Sequence, residues 1–156
     1  MAVWKMPPKA KVYEAISAIA DNRVRIVDGN KAEVVSSSRG KIYLVEWSED
    51  ISKISSNDNA SYWRGYLGYP IIAVLCLLGK LEYKKGIATH LSNIHWKELN
   101  KQHDNDYNKA IDQVLNSLKE KGVNTEAIVE EVDAIMRQLQ TITLEKLPKR
   151  LAPPKD

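Results

Sequence analysis

The chain has 156 residues, of which 44% are hydrophobic and 28% charged, with a formal net charge of +3. This balance is typical of one globular domain and excludes extensive disorder, and so small a net charge does not by itself indicate a polyanion partner. The single cysteine excludes an internal disulfide, and the longest apolar run, Ile71 to Leu78, is far shorter than the roughly 20 residues of a membrane-spanning helix. We expect a soluble cytoplasmic protein with one α+β domain over residues 1–147 and a disordered basic, proline-rich tail over residues 148–156.

A helix and a three-stranded antiparallel meander are predicted over the N-terminal third of the chain. Pro8 suits the first turn of a helix, and apolar residues recur behind it at spacings of four and three, which predicts one apolar face: Val12, Ile16 and Ile19. Apolar and polar residues then alternate around turns at Asp28-Gly29 and Ser38-Arg39-Gly40, as in β-strands. Residues 49–56 are mostly polar and predict a connector.

The segment SSNDNASYWRGYLGYPIIAVLCLLGK, which begins at Ser55, places tyrosine, tryptophan and glycine beside an Asn-Asp-Asn triplet. All three triplet side chains are good helix N-caps, so a helix is expected to begin at about Ala60. Pro70 disfavours the helical conformation at the residue before it, which predicts a break there and then a second helix that Gly79 ends.

The C-terminal half of the chain predicts helices that end in an αα-hairpin. A short helix is expected over residues 87–91. Beyond it, apolar residues step by four and three along two stretches that Gly122 separates: first Tyr107, Ile111, Val114 and Leu118, then Ile128, Val132, Ile135, Leu139 and Ile142. The predicted fold class is therefore α+β, with an N-terminal helix and a meander followed by a helical region.

No stretch of the sequence matches a catalytic, cofactor or metal motif. His90, His95 and His103 lie near one another in the sequence, but not at the spacing of a metal-binding helix pair. DNDYN, from Asp104, begins like a calcium loop but lacks the glycine and the glutamate that such a loop needs. We therefore expect no cofactor and no metal and assign no catalytic residue. An enzyme acting at residues 57–69 is the least favoured hypothesis.

Nucleic-acid binding is the first functional hypothesis. Predicted helices over residues 70–78, 87–93 and 106–119 have the order of a helix-turn-helix with a preceding helix. The candidate contacts are side chains that reach phosphates and base edges: Lys80, Lys84, Lys85, Lys97, Lys101, Lys109, Gln113, Asn116 and Lys119. Asp106 and Asp112 would face the nucleic acid too, and a helical bundle with a solvated charged face explains the same pattern.

The aromatic segment provides a second candidate surface, for a ligand or a partner: Asn57, Asp58, Asn59, Tyr62, Trp63, Arg64, Tyr66 and Tyr69. Three of its tyrosines recur at spacings of four and three, so their rings would share one helix face on which a base, a sugar or a peptide could stack. Alternatively, the same rings pack the helices onto the sheet. Exposed rings favour recognition, and buried rings favour packing.

A third hypothesis is a protein-interaction or homodimerisation module with no nucleic-acid role. Its basis is the heptad-like spacing of the apolar residues from Ile128 to Ile142, which could face a second copy of the chain.

The stretches SNDNASYWRGYLGYPIIAVL and PPKAKVYEAISAIAD resemble a family of small uncharacterised archaeal proteins, over roughly residues 1–120. The resemblance implies no activity, ligand or site residue. The stretch KAEVVSSSRGKIYLVEW also resembles the hairpin of SWIM zinc domains, but the Cys and His ligands of that motif are absent, so no zinc is expected.

Overall fold

A computed structural model describes residues 2–149 and 151–155 of the chain. The strands are β1 (Val24–Asp28), β2 (Lys31–Val35), β3 (Ile42–Trp47) and β4 (Ile54–Ser56). The helices are α1 (Lys9–Ala20), α2 (Tyr69–Leu77), α3 (Lys85–Ala88), α4 (Trp96–Gln102), α5 (Tyr107–Glu120) and α6 (Thr125–Thr141), with a π-helical turn at Ala60–Arg64 and a 3-10 turn at Thr89–Leu91. The predicted α+β class and the order helix, sheet, helices are confirmed.

The sheet is an antiparallel meander in the order β1-β2-β3-β4, one strand more than the sequence predicted. The additional strand, β4, lies within the segment that was predicted to be a connector. Ile54 pairs with Trp47 and is fully buried, and the two serines that follow are buried as well. Because β4 has one apolar residue in three, it shows no alternation by which its sequence could be recognised.

Segments near the two ends of the chain cover the β4 edge. The Ile54 N–H donates to the Glu145 carbonyl at 2.9 Å, and the Leu147 N–H donates to the Ser55 hydroxyl at 2.9 Å. On the other side of this segment, the Trp4 N–H donates to the Leu144 carbonyl at 3.0 Å. Residues 144–147 therefore lie between β4 and the N-terminal segment, and the edge is not left open.

The predicted domain and tail boundaries stay a prediction. Pro148, Lys149 and Leu151 line a cavity together with Ser55 and Tyr62. Three residues of the predicted ranges, at positions 1, 150 and 156, lie outside the described residues.

α1 lies at the centre of the molecule, so the prediction of a helix with one apolar face is wrong. Every residue from Val12 to Ala18 is buried, including the polar Glu14 and Ser17. Helices from the C-terminal half cover the side of α1 that was expected to face water, where the Trp96 indole donates to the Ser17 hydroxyl at 2.8 Å. Local periodicity does not reveal this second covering layer.

The helix expected from about Ala60 is only one π-helical turn. Gly65 ends it with a φ of +72°, a left-handed conformation that favours glycine, and α2 begins at Tyr69 with Pro70 in its first turn. The predicted break before Pro70 is confirmed. Because the helix stops at Arg64, the prediction that Tyr62, Tyr66 and Tyr69 share one helix face is wrong.

α5 and α6 follow one another through a short turn, as the periodicity predicted. Asp106 and Asn124 cap them, each accepting a backbone N–H at 3.3 Å. The apolar stripe of α6 is buried inside this chain: Ile128, Val132, Ile135 and Leu139. Within residues 2–149 and 151–155, no helix is long and apolar enough to cross a membrane.

Candidate functional site

A polar cleft of about 300 Å³ opens beside the β2–β3 turn, between α1, α4 and the start of α5. Its lining residues come from segments that are far apart in the sequence, so the cleft exists only once the sheet and the helices have packed together. The volume is at the lower end of the range for small-molecule sites. We refer to it below as the polar cleft.

Glu14 forms part of the floor of the polar cleft, and two neighbours hold its carboxylate. Lys11 Nζ lies 3.0 Å from Oε2, and Asn100 Nδ2 donates to Oε1 at 3.3 Å. Burial by itself would lower the pKa of Lys11, but the Glu14 carboxylate outweighs this effect, so the pKa of Lys11 lies above its ordinary value. Lys11 and Glu14 therefore form a charged pair that is mostly shielded from water.

Asp58 is the second buried carboxylate of the floor. The Ser61 N–H donates to its Oδ2 at 3.1 Å and the Ser61 hydroxyl donates to its Oδ1 at 2.7 Å. The Ser61 oxygen in turn accepts the Gly68 N–H at 3.1 Å. Asp58 thus caps the π-helical turn and fixes the connection to α2.

The three side chains of the Asn-Asp-Asn triplet, residues 57–59, have three different positions in the structure. The Asn57 side chain accepts the Leu44 N–H at 2.8 Å and so continues the pairing of β3 beyond β4. Asp58 is in the floor of the polar cleft, and Asn59 is exposed at its mouth. The structure therefore accounts for three polar residues where a helix cap alone would need one.

Two tyrosine rings form the aromatic part of the polar cleft. Tyr43 and Tyr69 pack edge to face, with ring centroids 6.4 Å apart. Burial raises the pKa of both phenols, and the nearby carboxylates of Asp58 and Glu14 add to the shift. Both phenols are therefore neutral at physiological pH and can each donate a hydrogen bond.

The mouth of the polar cleft is formed by exposed polar side chains: Ser38, Asn59, Lys97 and Asn105. Lys41 is partly buried on the β2–β3 turn. The carboxylates thus lie in the floor, whereas Lys97 lies at the entrance. No group of three or more His, Cys, Asp or Glu side chains in the described part of the chain is placed to hold a metal ion.

The predicted aromatic surface is divided by the π-helical turn. Asp58, Asn59 and Tyr69 line the polar cleft. Tyr62 instead lines the other cavity, together with Pro148 and Lys149. Trp63 is 69% exposed and meets Tyr62 edge to face, with centroids 4.7 Å apart. Arg64 is exposed, and Tyr66 is half-buried outside the polar cleft. Of the predicted surface, Trp63 presents the most exposed ring to solvent.

All nine candidate nucleic-acid contacts are exposed. Lys109, Gln113 and Asn116 lie together on one face of α5, which also carries Asp112 and Glu120. Lys97 lies at the mouth of the polar cleft. The others lie on α4, on the last turn of α5 and around the start of α3: Lys101, Lys119, Lys80, Lys84 and Lys85. Helix α4 separates the predicted second and third helices of the helix-turn-helix and was not anticipated as a helix.

Most residues that line the polar cleft were not singled out from the sequence, among them Lys11, Glu14, Tyr43 and Asn100. One signal was available, because Glu14 is the single charged residue in the stretch VYEAISAIA of α1. Nothing in the local sequence marks Asn100, whose role depends on a partner 86 positions away.

No curated protein and no solved structure matches the chain. A family model does match, over residues 4–145, a range that includes every residue of the polar cleft named above. Its description is "Uncharacterised conserved protein UCP014422". The expected resemblance to a family of uncharacterised proteins is therefore confirmed, and the chain belongs to this family of conserved proteins.

Proposed function

We propose that the protein binds a small hydroxylated molecule in the polar cleft. The observation that carries this proposal is the convergence of two buried carboxylates, Glu14 and Asp58, with two neutral phenols, Tyr43 and Tyr69, on one cavity. Ligand sites place a few polar groups where they fix a ligand's orientation, and aromatic rings supply apolar contact. An apolar ligand would cover the phenol hydroxyls and the remaining lone pairs of the carboxylates without hydrogen-bonding to them, which is costly.

The carboxylates have hydrogen-bonding capacity beyond what the protein uses. An ionised carboxylate has about four lone-pair sites. Glu14 accepts hydrogen bonds from Lys11 and Asn100, and Asp58 accepts two from Ser61, one from its N–H and one from its hydroxyl. Each can therefore accept further hydrogen bonds from ligand hydroxyls. A hydrogen bond to a charged group contributes about 1.5–3 kcal/mol, which is roughly tenfold or more in affinity.

The test is an amide NMR titration of the full chain with D-ribose, D-glucose and glycerol. We expect shift changes confined to the segments that line the polar cleft, which are residues 11–14, 36–43, 58–60, 69, 97–100 and 105–107. Glu14→Gln keeps the shape of the side chain and should weaken binding about tenfold. Tyr69→Phe removes one hydroxyl at a second position, so the test does not depend on one variant. Glu98→Gln, an exposed change on α4 outside the polar cleft, should have no effect.

Shift changes that fall outside the polar cleft, or no changes with any of the three probes, would refute the proposal. Equal binding by the Glu14→Gln, Tyr69→Phe and Glu98→Gln variants would do the same. We assign no reaction to the polar cleft.

Nucleic-acid binding through α5 is a second proposal. It is supported by Lys109, Gln113 and Asn116, which are exposed on one helix face, and opposed by the two acidic residues of that face. Binding of a DNA duplex should weaken steeply with added salt, and Lys109→Ala should reduce the salt dependence. Affinity that is independent of ionic strength would exclude this proposal.

Self-association also stays a prediction. The apolar stripe of α6 that suggested it packs within the chain, so a dimer would need another surface. Sedimentation at high protein concentration tests this prediction. We further propose that the family is archaeal, as the sequence resemblance implies. We also propose that the protein acts in the cytoplasm, which fractionation of source cells would test.

A further inference from the structure

We infer that the ligand of the polar cleft carries a phosphate group, so that its class is the phosphate ester of a hydroxylated molecule. This inference rests on the proposed function and specifies, in addition, the charged group that the ligand carries. The argument comes from how charge is distributed with depth in the polar cleft.

The negative charges of the polar cleft are deep and the positive charges extend outward. Glu14 and Asp58 are both buried, whereas Lys97 is exposed at the mouth. Lys11 is paired with Glu14, so this pair contributes no net charge. The lining as a whole carries three lysines and two carboxylates. A ligand with hydroxyls at one end and an anion at the other matches this distribution.

A neutral sugar would use only the floor. Its hydroxyls would donate to the carboxylates, but nothing in the sugar would meet the positive charge of Lys97. An anion held in the floor would face Glu14 and Asp58 at short range, and like charges placed so close together repel one another. The anionic group is therefore placed at the mouth and the hydroxyls in the floor.

The mouth also offers neutral hydrogen-bonding groups. Ser38, Asn59 and Asn105 are exposed there, and they come from three different segments of the chain. A phosphate group has three strong acceptor oxygens and can use a lysine together with several neutral donors. A carboxylate has two oxygens and less charge, so it would use this set of donors less completely.

The experiment is calorimetric titration of the full chain with D-ribose 5-phosphate, D-ribose, inorganic phosphate and D-gluconate at one ionic strength. We expect ribose 5-phosphate to bind about tenfold more tightly than either ribose or inorganic phosphate. Lys97→Ala should remove most of this advantage, so that ribose 5-phosphate binds this variant about as weakly as ribose does. Lys101→Ala is the matched control, because Lys101 is an exposed lysine on the same helix that does not line the polar cleft.

The outcomes separate this inference from the proposed function. Equal affinity for ribose and ribose 5-phosphate would overturn the phosphate inference and leave sugar binding intact. Tighter binding of gluconate than of ribose 5-phosphate would also overturn it, in favour of a carboxylate. Failure of both ribose and ribose 5-phosphate to bind would overturn the phosphate inference, and it would remove the proposed function as well if glucose and glycerol also left the amide shifts unchanged. Equal loss of affinity in Lys97→Ala and Lys101→Ala would refute the placement of the phosphate at the mouth.

Discussion

The carboxylate of Asp58 occupies the space into which a side chain at Gly68 would project. A Cβ atom on Gly68 would overlap Asp58 and would lie 2.7 Å from the Ser61 hydroxyl oxygen. The φ of Gly68 is −74°, which any residue can adopt, so the requirement for glycine here is one of space. Both carboxylate oxygens are bonded to Ser61, so Asp58 cannot move aside without losing those bonds.

Gly68→Ala should therefore destabilise the protein and displace Asp58 from the floor of the polar cleft. The expected loss is about 1–3 kcal/mol in the free energy of unfolding, as for other overpacked sites, measured by urea denaturation. Gly86→Ala is the control, because a Cβ atom there meets nothing within 4 Å. Gly86 lies in α3, where alanine should be neutral or stabilising by up to about 1 kcal/mol. Similar stabilities of the two variants would show that Gly68 has room for a side chain.

Ser17→Ala should leave the Trp96 indole N–H without its partner. Both residues are buried, and an unsatisfied buried donor costs about 1–3 kcal/mol. Ser117→Ala, at an exposed position of α5, should change the stability by no more than about 0.5 kcal/mol. Urea denaturation, monitored by tryptophan fluorescence, compares the stabilities of the two variants. A Ser17→Ala protein as stable as Ser117→Ala would mean that the indole finds another acceptor.

The buried thiol of Cys76 should make the protein less stable at alkaline pH. Burial raises the pKa of Cys76 from 9.0 to about 12. Between these values the unfolded chain loses the thiol proton and the folded chain keeps it, so stability is complete below pH 9 and falls as the pH rises. The expected loss between pH 9 and pH 10 is about 1 kcal/mol, by urea denaturation at each pH. Cys76→Ala should reduce this slope without abolishing it, because burial also raises the pKa of tyrosines such as Tyr69. An unchanged slope in that variant would assign the whole dependence to other groups.

Trp63 should account for most of the tryptophan fluorescence that a soluble quencher can reach. It is 69% exposed, whereas Trp4 is half-buried and Trp47 and Trp96 are buried. In Trp63→Phe, acrylamide should quench the remaining fluorescence only weakly, and the stability should change by less than about 0.5 kcal/mol. Trp96→Phe is the comparison, since it should leave the quenching by acrylamide strong. Strong quenching that persists in Trp63→Phe would place the exposed indole elsewhere.

The elements that were predicted most accurately from the sequence are those in which the spacing of apolar residues within the element determines the buried face. In α5 and α6 the apolar side chains recur at the helical period, and the structure buries most of that stripe: Ile111, Val114, Ile128, Val132, Ile135 and Leu139. The break before Pro70 was predictable as well, because proline has no N–H to continue a preceding helix and is tolerated only in a first turn, where α2 places it. These features depend on interactions within a few residues.

The polar cleft could not be predicted in the same way. Glu14, Tyr43 and Asn100 meet only because α1, β3 and α4 pack around one cavity, and no local pattern encodes that meeting. Asp58 and Tyr69 were chosen from the sequence, but for an aromatic surface rather than for a buried floor. Strand β4 was missed for a related reason, since its serines are buried by other segments of the chain.

The closure of the β4 edge by residues 144–147 has a consequence for biosynthesis. Ile54 is made early, but the Glu145 carbonyl that its N–H requires is added 91 residues later, after all six helices. While the ribosome adds that length, the strand edge stays open, and the Leu144 carbonyl that accepts the Trp4 N–H is missing as well. The last part of the sheet is therefore completed only after residue 147 has left the ribosome.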